Sequence, residues 1–161
     1  MPRLGVALLI LVAMGAKAQD LTVEGRWAGD QSVLEVKAVD GRLSATVVAL
    51  AEPNYLPDEE FGPAGTPRLD VQNPDEAMRD RPLLGMELLS EYSWDGKRWS
   101  GKIYDPESGN TYSSRMEVRK DGNLAMRGYI GSPLFGRTAV FEPVANCTPA
   151  IQKMVACGSG S

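Results

Sequence analysis

A block of tyrosine, aspartate and glycine residues in the second half of the chain carries the side chains best suited to chemistry. Tyr104 and Asp105 precede Pro106, and Gly109 and Tyr112 follow. Asp, Pro and Gly in this order are typical of a tight turn, because Asp accepts local N–H bonds, Pro presets φ and Gly supplies a positive φ. The sequence contains no histidine, which excludes Ser-His-Asp and Cys-His catalysis and most zinc sites. The block therefore predicts a turn whose phenol and carboxylate groups are available for ligand contacts or for histidine-free acid–base chemistry.

Three arginines, Arg81, Arg127 and Arg137, lie inside short motifs of their own. A guanidinium that is held in one place needs a carboxylate nearby, with which it forms short, charge-assisted hydrogen bonds. We expect at least one of the three to form a buried pair with Asp70 or Asp105. Such a pair more often ties two segments together than takes part in catalysis.

The candidate ligand-binding residues are polar members of these motifs: Asn73, Arg81, Tyr104, Asp105, Tyr112, Arg127, Tyr129 and Arg137. We assign no catalytic residue, no metal ligand and no cofactor. Tyr104 and Tyr112 flank the predicted turn, so we expect them to pack as a cross-strand aromatic pair. Trp27 is expected to close the bottom of the fold by packing rather than by ligand contact.

Alternation of apolar and polar residues with a period of two runs through the body of the chain. Leu34 and Val36 alternate with charged residues, which is the pattern of a half-buried strand. Asp-Gly pairs at 40–41, 95–96 and 121–122 predict type I′ hairpins, in which both central residues have positive φ. Counting between turns predicts eight antiparallel strands, near residues 22–28, 32–39, 42–50, 83–92, 98–105, 111–119, 123–131 and 137–143.

Eight consecutive strands joined by hairpins predict an all-β, up-and-down meander. An open meander leaves two exposed edges, whereas closure into a barrel removes them. We therefore expect a closed lipocalin-like barrel with a short C-terminal helical turn. A two-sheet β-sandwich is the alternative, because strand period and turn spacing do not separate the two folds. Glycines at 101, 128 and 131 fit either fold as bulges or bends.

One segment departs from the strand pattern. Residues 51–82 contain six of the eleven prolines and eight acidic side chains, with no apolar run of strand length. Connections this long are usually either functional lids or mobile excursions. Asn73 followed by Pro74 predicts a short helix that ends before Pro82. A calcium site in the acidic run 58–60 is an alternative to a solvated loop, but its spacing matches no metal-binding loop, so the solvated loop is favoured.

The first eighteen residues have the pattern of an export signal. Arg3 supplies a positive charge, residues 4–14 are apolar, and Ala16-Lys17-Ala18 offers the small residues that precede a cleavage site. The apolar run is too short to span a bilayer. We expect cleavage near Ala18, a barrel domain over 19–144, a C-terminal tail over 145–161, and a periplasmic or secreted location.

Cys147 and Cys157 are the two cysteines of the chain. In an oxidising compartment such a pair most often forms a disulfide. Thr148-Pro149 and Gly158 bound a short helix. An unbroken helix would separate the two Cα atoms by about 15 Å, whereas a disulfide spans at most roughly 7 Å. We therefore predict a disulfide with only one or two helical turns inside its loop.

Several motifs resemble a known bacterial family. They are GKIYDPESGNTY at 101–112, MRGYIG at 126–131, LFGR at 134–137, Leu69–Pro74 and Arg81–Gly85. Together they resemble the domain-of-unknown-function family twenty-one forty-seven, a group of small exported bacterial proteins. The resemblance extends from Trp27 to Phe141. It implies a lipocalin-type barrel topology and brings no established activity.

The charge balance narrows the classes of partner. With 17 basic and 21 acidic residues the net charge is −4, which disfavours nucleic acid and anionic membranes. A binding module for a small apolar or amphipathic ligand at the barrel mouth is the leading hypothesis, and a cavity of about 300 Å³ or more with Arg and Tyr inside would favour it. An envelope protein-interaction or stress module is one alternative. A histidine-free enzyme with Asp105 or Asp70 as base, beside Tyr and Arg, is the other.

Overall fold

Eight antiparallel strands follow one another along the chain, and each pairs with its sequence neighbours. They are β1 (Gly25–Ala28), β2 (Ser32–Val39), β3 (Arg42–Leu50), β4 (Leu89–Trp94), β5 (Trp99–Asp105), β6 (Asn110–Val118), β7 (Leu124–Tyr129) and β8 (Arg137–Pro143). β1 also pairs with β8, with Trp27 opposite Pro143, so the sheet closes on itself. The predicted lipocalin-like barrel is confirmed, and the two-sheet sandwich is not the fold observed.

The computed structural model describes residues 23–157. The predicted export signal and the predicted helix stop at Gly158 lie outside the described residues. Within the described residues, no helix has both the length and the apolar character needed to cross a membrane.

Apolar side chains of the strands fill the closed part of the barrel. The largest fully buried side chains include Tyr92, Leu34, Met116 and Leu124. The Tyr92 hydroxyl and the Ser114 hydroxyl lie 2.5 Å apart and pair with each other, whereas the indole Nε1 of Trp99 in the same core has no hydrogen-bond partner among the described residues. Trp27 is 5% exposed, and its Nε1 donates to the Val23 carbonyl at 2.9 Å. The predicted packing role of Trp27 is therefore confirmed.

The fourth strand begins later than predicted, at Leu89 instead of near residue 83. Residues 85–88 do run beside β3, where Val47 N–H donates to the Met86 carbonyl. At the next position the Glu87 carboxylate, not a backbone carbonyl, accepts from Ala45 N–H at 2.6 Å. A side chain thus replaces one backbone hydrogen bond beside β3. The regular pairing of β4 begins at Leu89, which lies opposite Ile103 of β5, and its register with β3 is limited to Ser93 opposite Arg42.

The three Asp-Gly turns differ from one another. Asp40 and Gly41 have φ values of 52° and 76°, as a type I′ turn requires. At the other two turns only Gly96 and Gly122 have positive φ. Their aspartates instead accept hydrogen bonds from backbone N–H groups further along the turn. The type I′ prediction was therefore wrong at 95–96 and 121–122, because the aspartate side chain supplies a competing local acceptor.

A bulge in β4 explains one of the strand glycines. The register between β4 and β5 shifts between Ser90 and Ser93, and Glu91 has a φ of 56°. A Cβ on Gly101 of β5 would come within 2.6 Å of the Tyr92 Cα. Gly101 is therefore required so that the bulge can lie against β5.

The C-terminal segment is fastened to the outer wall of the barrel. Cys147 and Cys157 form a disulfide with their Cα atoms 5.7 Å apart. Inside its loop lies one short helix, α1 (Pro149–Met154), capped by the Thr148 side chain. Ile151 of α1 is 2% exposed and belongs to a second apolar cluster with Ala28, Val33 and Ala49 of the wall. The predicted disulfide with a short helix inside it is confirmed.

Candidate functional site

Three of the predicted site residues converge on Asp70, which is completely buried. The Arg81 Nε and Nη2 atoms each lie 2.8 Å from Asp70 Oδ2. The Tyr104 hydroxyl donates to Oδ1 at 2.6 Å, and Asn73 Nδ2 donates to Oδ2 at 2.7 Å. We call these four residues the Asp70 cluster. The prediction that a motif arginine pairs with a buried aspartate is confirmed by Arg81.

The backbone of the long connection builds this cluster. Asp70 N–H donates to the Arg81 carbonyl at 3.0 Å, and Leu69 forms a single β-bridge with Pro82. Between them a short helix ends before Pro82, as predicted, but it is a single 3₁₀ turn at Glu76–Met78 capped by Asp75 and not by Asn73. Asn73 cannot cap it, because its amide group is already used. Its Oδ1 accepts from Asp75 N–H at 2.9 Å while its Nδ2 binds the aspartate.

The Asp70 cluster holds the connection against β5. Burial raises the pKa of Tyr104 to about 12, with the hydrogen bond to Asp70 and its negative charge adding to the effect. The Arg81 guanidinium also lies over the Tyr104 ring, 5.4 Å from its centroid. Both carboxylate oxygens of Asp70 therefore have donors. These hydrogen bonds join the long connection to β5, and we call this arrangement a clasp. Asp70 could act as a base only if at least one of these hydrogen bonds were broken.

The predicted turn after β5 is present and packs against the same connection. Asp105 Oδ1 accepts from Glu107 N–H at 3.0 Å, and Oδ2 accepts from the Ser108 hydroxyl at 2.6 Å. Gly109 has a φ of 68°, and a Cβ there would overlap the backbone oxygen of Gln72. The Asp105 carboxylate therefore forms its hydrogen bonds within the turn to which it belongs.

The predicted aromatic pair of Tyr104 and Tyr112 is wrong. The register of β5 and β6 places Tyr104 opposite Thr111 and Tyr112 opposite Ile103. Because successive side chains of a strand point to opposite faces, the two tyrosines lie on different sides of the sheet. Tyr104 reaches the Asp70 cluster, whereas Tyr112 lines a cleft at the barrel mouth.

Two clefts open at the mouth, one on each side of Asp105. The first, which we call the apolar cleft, has a volume of about 280 Å³. Its apolar lining is Leu34, Val47, Leu50, Leu83, Leu88, Ile103 and Phe141. Its polar lining is Gln31, Ser32, Tyr104, Asp105 and Glu107, of which Tyr104 and Asp105 are predicted site residues. The apolar cleft continues the barrel core, since most of its lining belongs to or packs against the main buried cluster.

The second, which we call the mouth cleft, has a volume of about 570 Å³. It is lined by Asp105, Tyr112, Gly128, Tyr129, Ile130, Phe135 and Arg137. Four predicted site residues therefore meet there: Asp105, Tyr112, Tyr129 and Arg137. Ile130 and Phe135 were not among the predicted residues, although both lie in the MRGYIG and LFGR motifs. The combination of guanidinium, phenol and apolar groups suits an amphipathic ligand.

Arg127 lies outside both clefts and is used by the turn between β7 and β8. Its Nε donates to the Pro133 carbonyl at 2.7 Å, its Nη1 to the Thr138 hydroxyl at 2.9 Å and its Nη2 to the Leu134 carbonyl at 3.2 Å. All three guanidinium nitrogens are therefore engaged in bracing this turn.

The acidic run of the long connection is partly paired. Glu59 forms an ion pair with Arg68 at 2.7 Å. Over residues 23–157 no three His, Cys, Asp or Glu side chains are grouped so as to hold a metal ion.

Comparison with known proteins agrees with the fold. Residues 20–142 match the model of a family described as "Uncharacterized protein conserved in bacteria (DUF2147)". The chain belongs to this family. Among solved structures, protein HP1028 from Helicobacter pylori, described as a member of the lipocalin family, is similar with a TM-score of 0.62. The identity is 20%, over 83% of this chain and 90% of that one, so the likeness concerns the fold alone. No curated protein matches the chain.

Proposed function

We propose that this protein is an exported binding protein that holds a small, partly apolar ligand at the barrel mouth. The observation that carries the proposal is the mouth cleft of about 570 Å³, whose lining combines Arg137 and Tyr112 with the apolar side chains of Ile130 and Phe135. Its volume falls within the range of roughly 300–1,000 Å³ of small-molecule sites.

The charges at the cleft favour a ligand with an acidic or polar head. Asp105 borders the cleft, but its carboxylate accepts two hydrogen bonds within its own turn. Arg137 forms no ion pair within residues 23–157. A guanidinium beside two phenols is well suited to a carboxylate or phosphate head. The apolar body of such a ligand would lie toward Ile130 and Phe135.

Export is supported by the chemistry of the C-terminal segment and by the first eighteen residues. A disulfide such as that between Cys147 and Cys157 forms and persists in an oxidising compartment such as the bacterial periplasm. The family is bacterial, and residues 1–18 have the charge, apolar run and small residues of a cleavable signal. We therefore place the ligand-binding activity in the periplasm.

The histidine-free enzyme is the weaker candidate because both carboxylates that it needs are occupied. Asp70 receives hydrogen bonds from three side chains, and Asp105 receives two from its own turn. A general base must accept a proton from the substrate, and these oxygens already have donors.

The test is a fluorescence titration with 11-(dansylamino)undecanoic acid, an amphiphile with a carboxylate head. A Cβ on Gly128 would lie 3.6 Å from the Tyr112 Cβ, which is ordinary contact, so Gly128→Leu extends into the cleft from a position that tolerates a side chain. We expect saturable 1:1 binding by the wild type and at least tenfold weaker binding by Gly128→Leu, or about 1.4 kcal/mol.

Two further variants separate cleft binding from general effects. Arg137→Gln removes the exposed cation without adding bulk, and we expect several-fold weaker binding. Glu117→Leu adds the same side chain as Gly128→Leu at an exposed position of β6 away from the cleft, and should bind like the wild type. Equal binding by all four proteins, or no saturable binding by the wild type, would overturn the proposal.

A further inference from the structure

The turn between β7 and β8 presents three large apolar side chains to solvent. Ile130 is 77% exposed, Leu134 is 79% exposed and Phe135 is 83% exposed. These are the highest values for any large apolar residue that the structure describes. We call Ile130, Leu134 and Phe135 the apolar tip. Exposed apolar side chains that are grouped in this way mark a contact surface more often than scattered ones do.

The apolar tip is held in its exposed position by hydrogen bonds. The Arg127 guanidinium binds the carbonyls of Pro133 and Leu134. The Ser132 hydroxyl accepts from Leu134 N–H at 3.3 Å, and Gly136 N–H donates to the Pro133 carbonyl at 3.3 Å. The backbone of the turn is therefore preorganised, which lowers the ordering cost when the turn meets a partner.

Two arginines and one aspartate lie beside the apolar tip. Arg127 binds carbonyls of the turn, and Arg137 and Asp105 line the mouth cleft together with Ile130 and Phe135. The strand register places Arg115 of β6 directly opposite Arg127 of β7, and Arg137 opposite Gly128. None of the three arginines has a carboxylate within ion-pair distance among residues 23–157. Like charges directly opposite on neighbouring strands are destabilising. Cations beside exposed apolar groups are the pattern of a segment that rests on a phospholipid surface.

We propose that the apolar tip inserts into the headgroup region of a phospholipid surface. The size of the tip favours lipid over a folded partner: it consists of three side chains in one turn, whereas a stable protein interface takes roughly 20–30 residues and about 800 Å² per partner. The net charge of −4 opposes binding to a strongly anionic surface. The surface that fits best is therefore zwitterionic, and binding depends on the tip.

This contact would also bring the mouth cleft to the lipid. Ile130 and Phe135 belong both to the tip and to the lining of the cleft. Leu134 belongs to the tip alone. A substitution at Leu134 therefore tests lipid contact without altering the cleft.

The test is flotation of the purified protein with vesicles of phosphatidylcholine and phosphatidylethanolamine. We expect the wild type to float with the vesicles, Leu134→Asp to lose at least fivefold of the bound fraction, and the triple variant Ile130→Ser, Leu134→Ser, Phe135→Ser to lose at least tenfold. The matched control is Val39→Ser, Leu56→Ser, Met78→Ser, which removes three other exposed apolar side chains. It should float like the wild type.

A second readout reports where the tip lies. In Phe135→Trp the new indole should shift its emission to the blue on addition of vesicles, because the ring enters a less polar environment. Thermal unfolding curves confirm that each variant is folded. Absence of the wild type from the vesicle layer, or equal loss in the control triple variant, would overturn the proposal. So would a concentration-dependent dimer that the tip variants abolish while vesicles bind nothing, because a second copy would then cover the tip.

Discussion

Arg81 and Asp70 form an ion pair of 2.8 Å in which the carboxylate is fully buried and the arginine side chain is 33% exposed. Both residues belong to the long connection between β3 and β4, and the Tyr104 hydroxyl of β5 completes the carboxylate's set of donors. The pair therefore determines where the connection lies relative to the barrel. Leu83, two residues after Arg81 in the connection, helps to line the apolar cleft.

Substitution of Asp70 should be costly. Asp70→Asn leaves the Arg81 guanidinium without its carboxylate, and we expect the free energy of unfolding to fall by about 2–3 kcal/mol, allowing for the partial exposure of the arginine. The matched control is Glu76→Gln, which breaks the exposed pair with Arg79 in the same connection and should cost about 0–1 kcal/mol. Urea denaturation measures both. Equal losses of unfolding free energy in the two variants would contradict a stabilising role for the Asp70 cluster.

Gly109 is expected to be intolerant of a side chain for two separable reasons. Its φ is 68°, and a Cβ would overlap the Gln72 carbonyl. Gly122 has a φ of 84° with open space around it, so Gly122→Ala carries only the conformational cost of about 1–2 kcal/mol. We expect Gly109→Ala to cost at least 1 kcal/mol more than Gly122→Ala in urea denaturation. A smaller difference between the two losses of unfolding free energy would contradict the close packing of the long connection against this turn.

The ionisation of Tyr104 should occur well above the ordinary range. The pKa of Tyr104 and that of Tyr92 are each raised to about 12, in both cases chiefly by burial. Absorbance titration at alkaline pH should therefore show two tyrosine equivalents ionising near pH 12. Tyr104→Phe should remove one of them. An unchanged amplitude near pH 12 would contradict the buried contact between Tyr104 and Asp70.

The same shift makes stability depend on pH. An unfolded tyrosine has a pKa of about 10, so the folded state holds this proton more tightly and its contribution to stability is complete below pH 10. That contribution declines as the pH rises from about 10 toward 12. In the wild type the urea midpoint should fall between pH 9 and pH 11 by more than in Tyr104→Phe.

Removal of the disulfide should loosen the C-terminal helix. The bond between Cys147 and Cys157 closes a short loop around α1, which the chain-entropy model values at about 3 kcal/mol. We expect no free thiol in the unreduced, denatured protein and a lower melting temperature for Cys147→Ser, Cys157→Ser. Reaction of two thiols with Ellman's reagent before reduction would contradict the pairing.

The barrel was predictable because its signals are local. Alternation with a period of two and Asp-Gly turns depend on neighbouring residues. The disulfide was predicted from the pair of cysteines and the expected oxidising compartment, and the distance that two Cα atoms can span limited the helix inside its loop. The face of each side chain was less predictable, because a shift of one residue in register inverts it. Tyr104 and Tyr112 show this: the pairing of Tyr104 with Thr111 puts the two phenols on opposite faces.

The long-range contacts of the candidate site could not be derived from spacing. The hydrogen bond between Tyr104 and Asp70 joins residues 34 positions apart, and no local pattern encodes it. Strand ends were also misjudged. Leu124, Met126 and Ile130 are even-numbered positions, which would lie on one face of a continuous strand. Leu124 and Met126 are 0% and 3% exposed, but Ile130 is 77% exposed because β7 ends at Tyr129.

The most direct test of ligand binding at the barrel mouth is native mass spectrometry of the protein purified from bacterial periplasm. We expect the wild type to carry a small-molecule mass excess that disappears under denaturing conditions, and Gly128→Leu to carry little or none. A wild-type protein that shows only the mass of its polypeptide, and that also fails to bind the dansylated fatty acid, would contradict the proposed function.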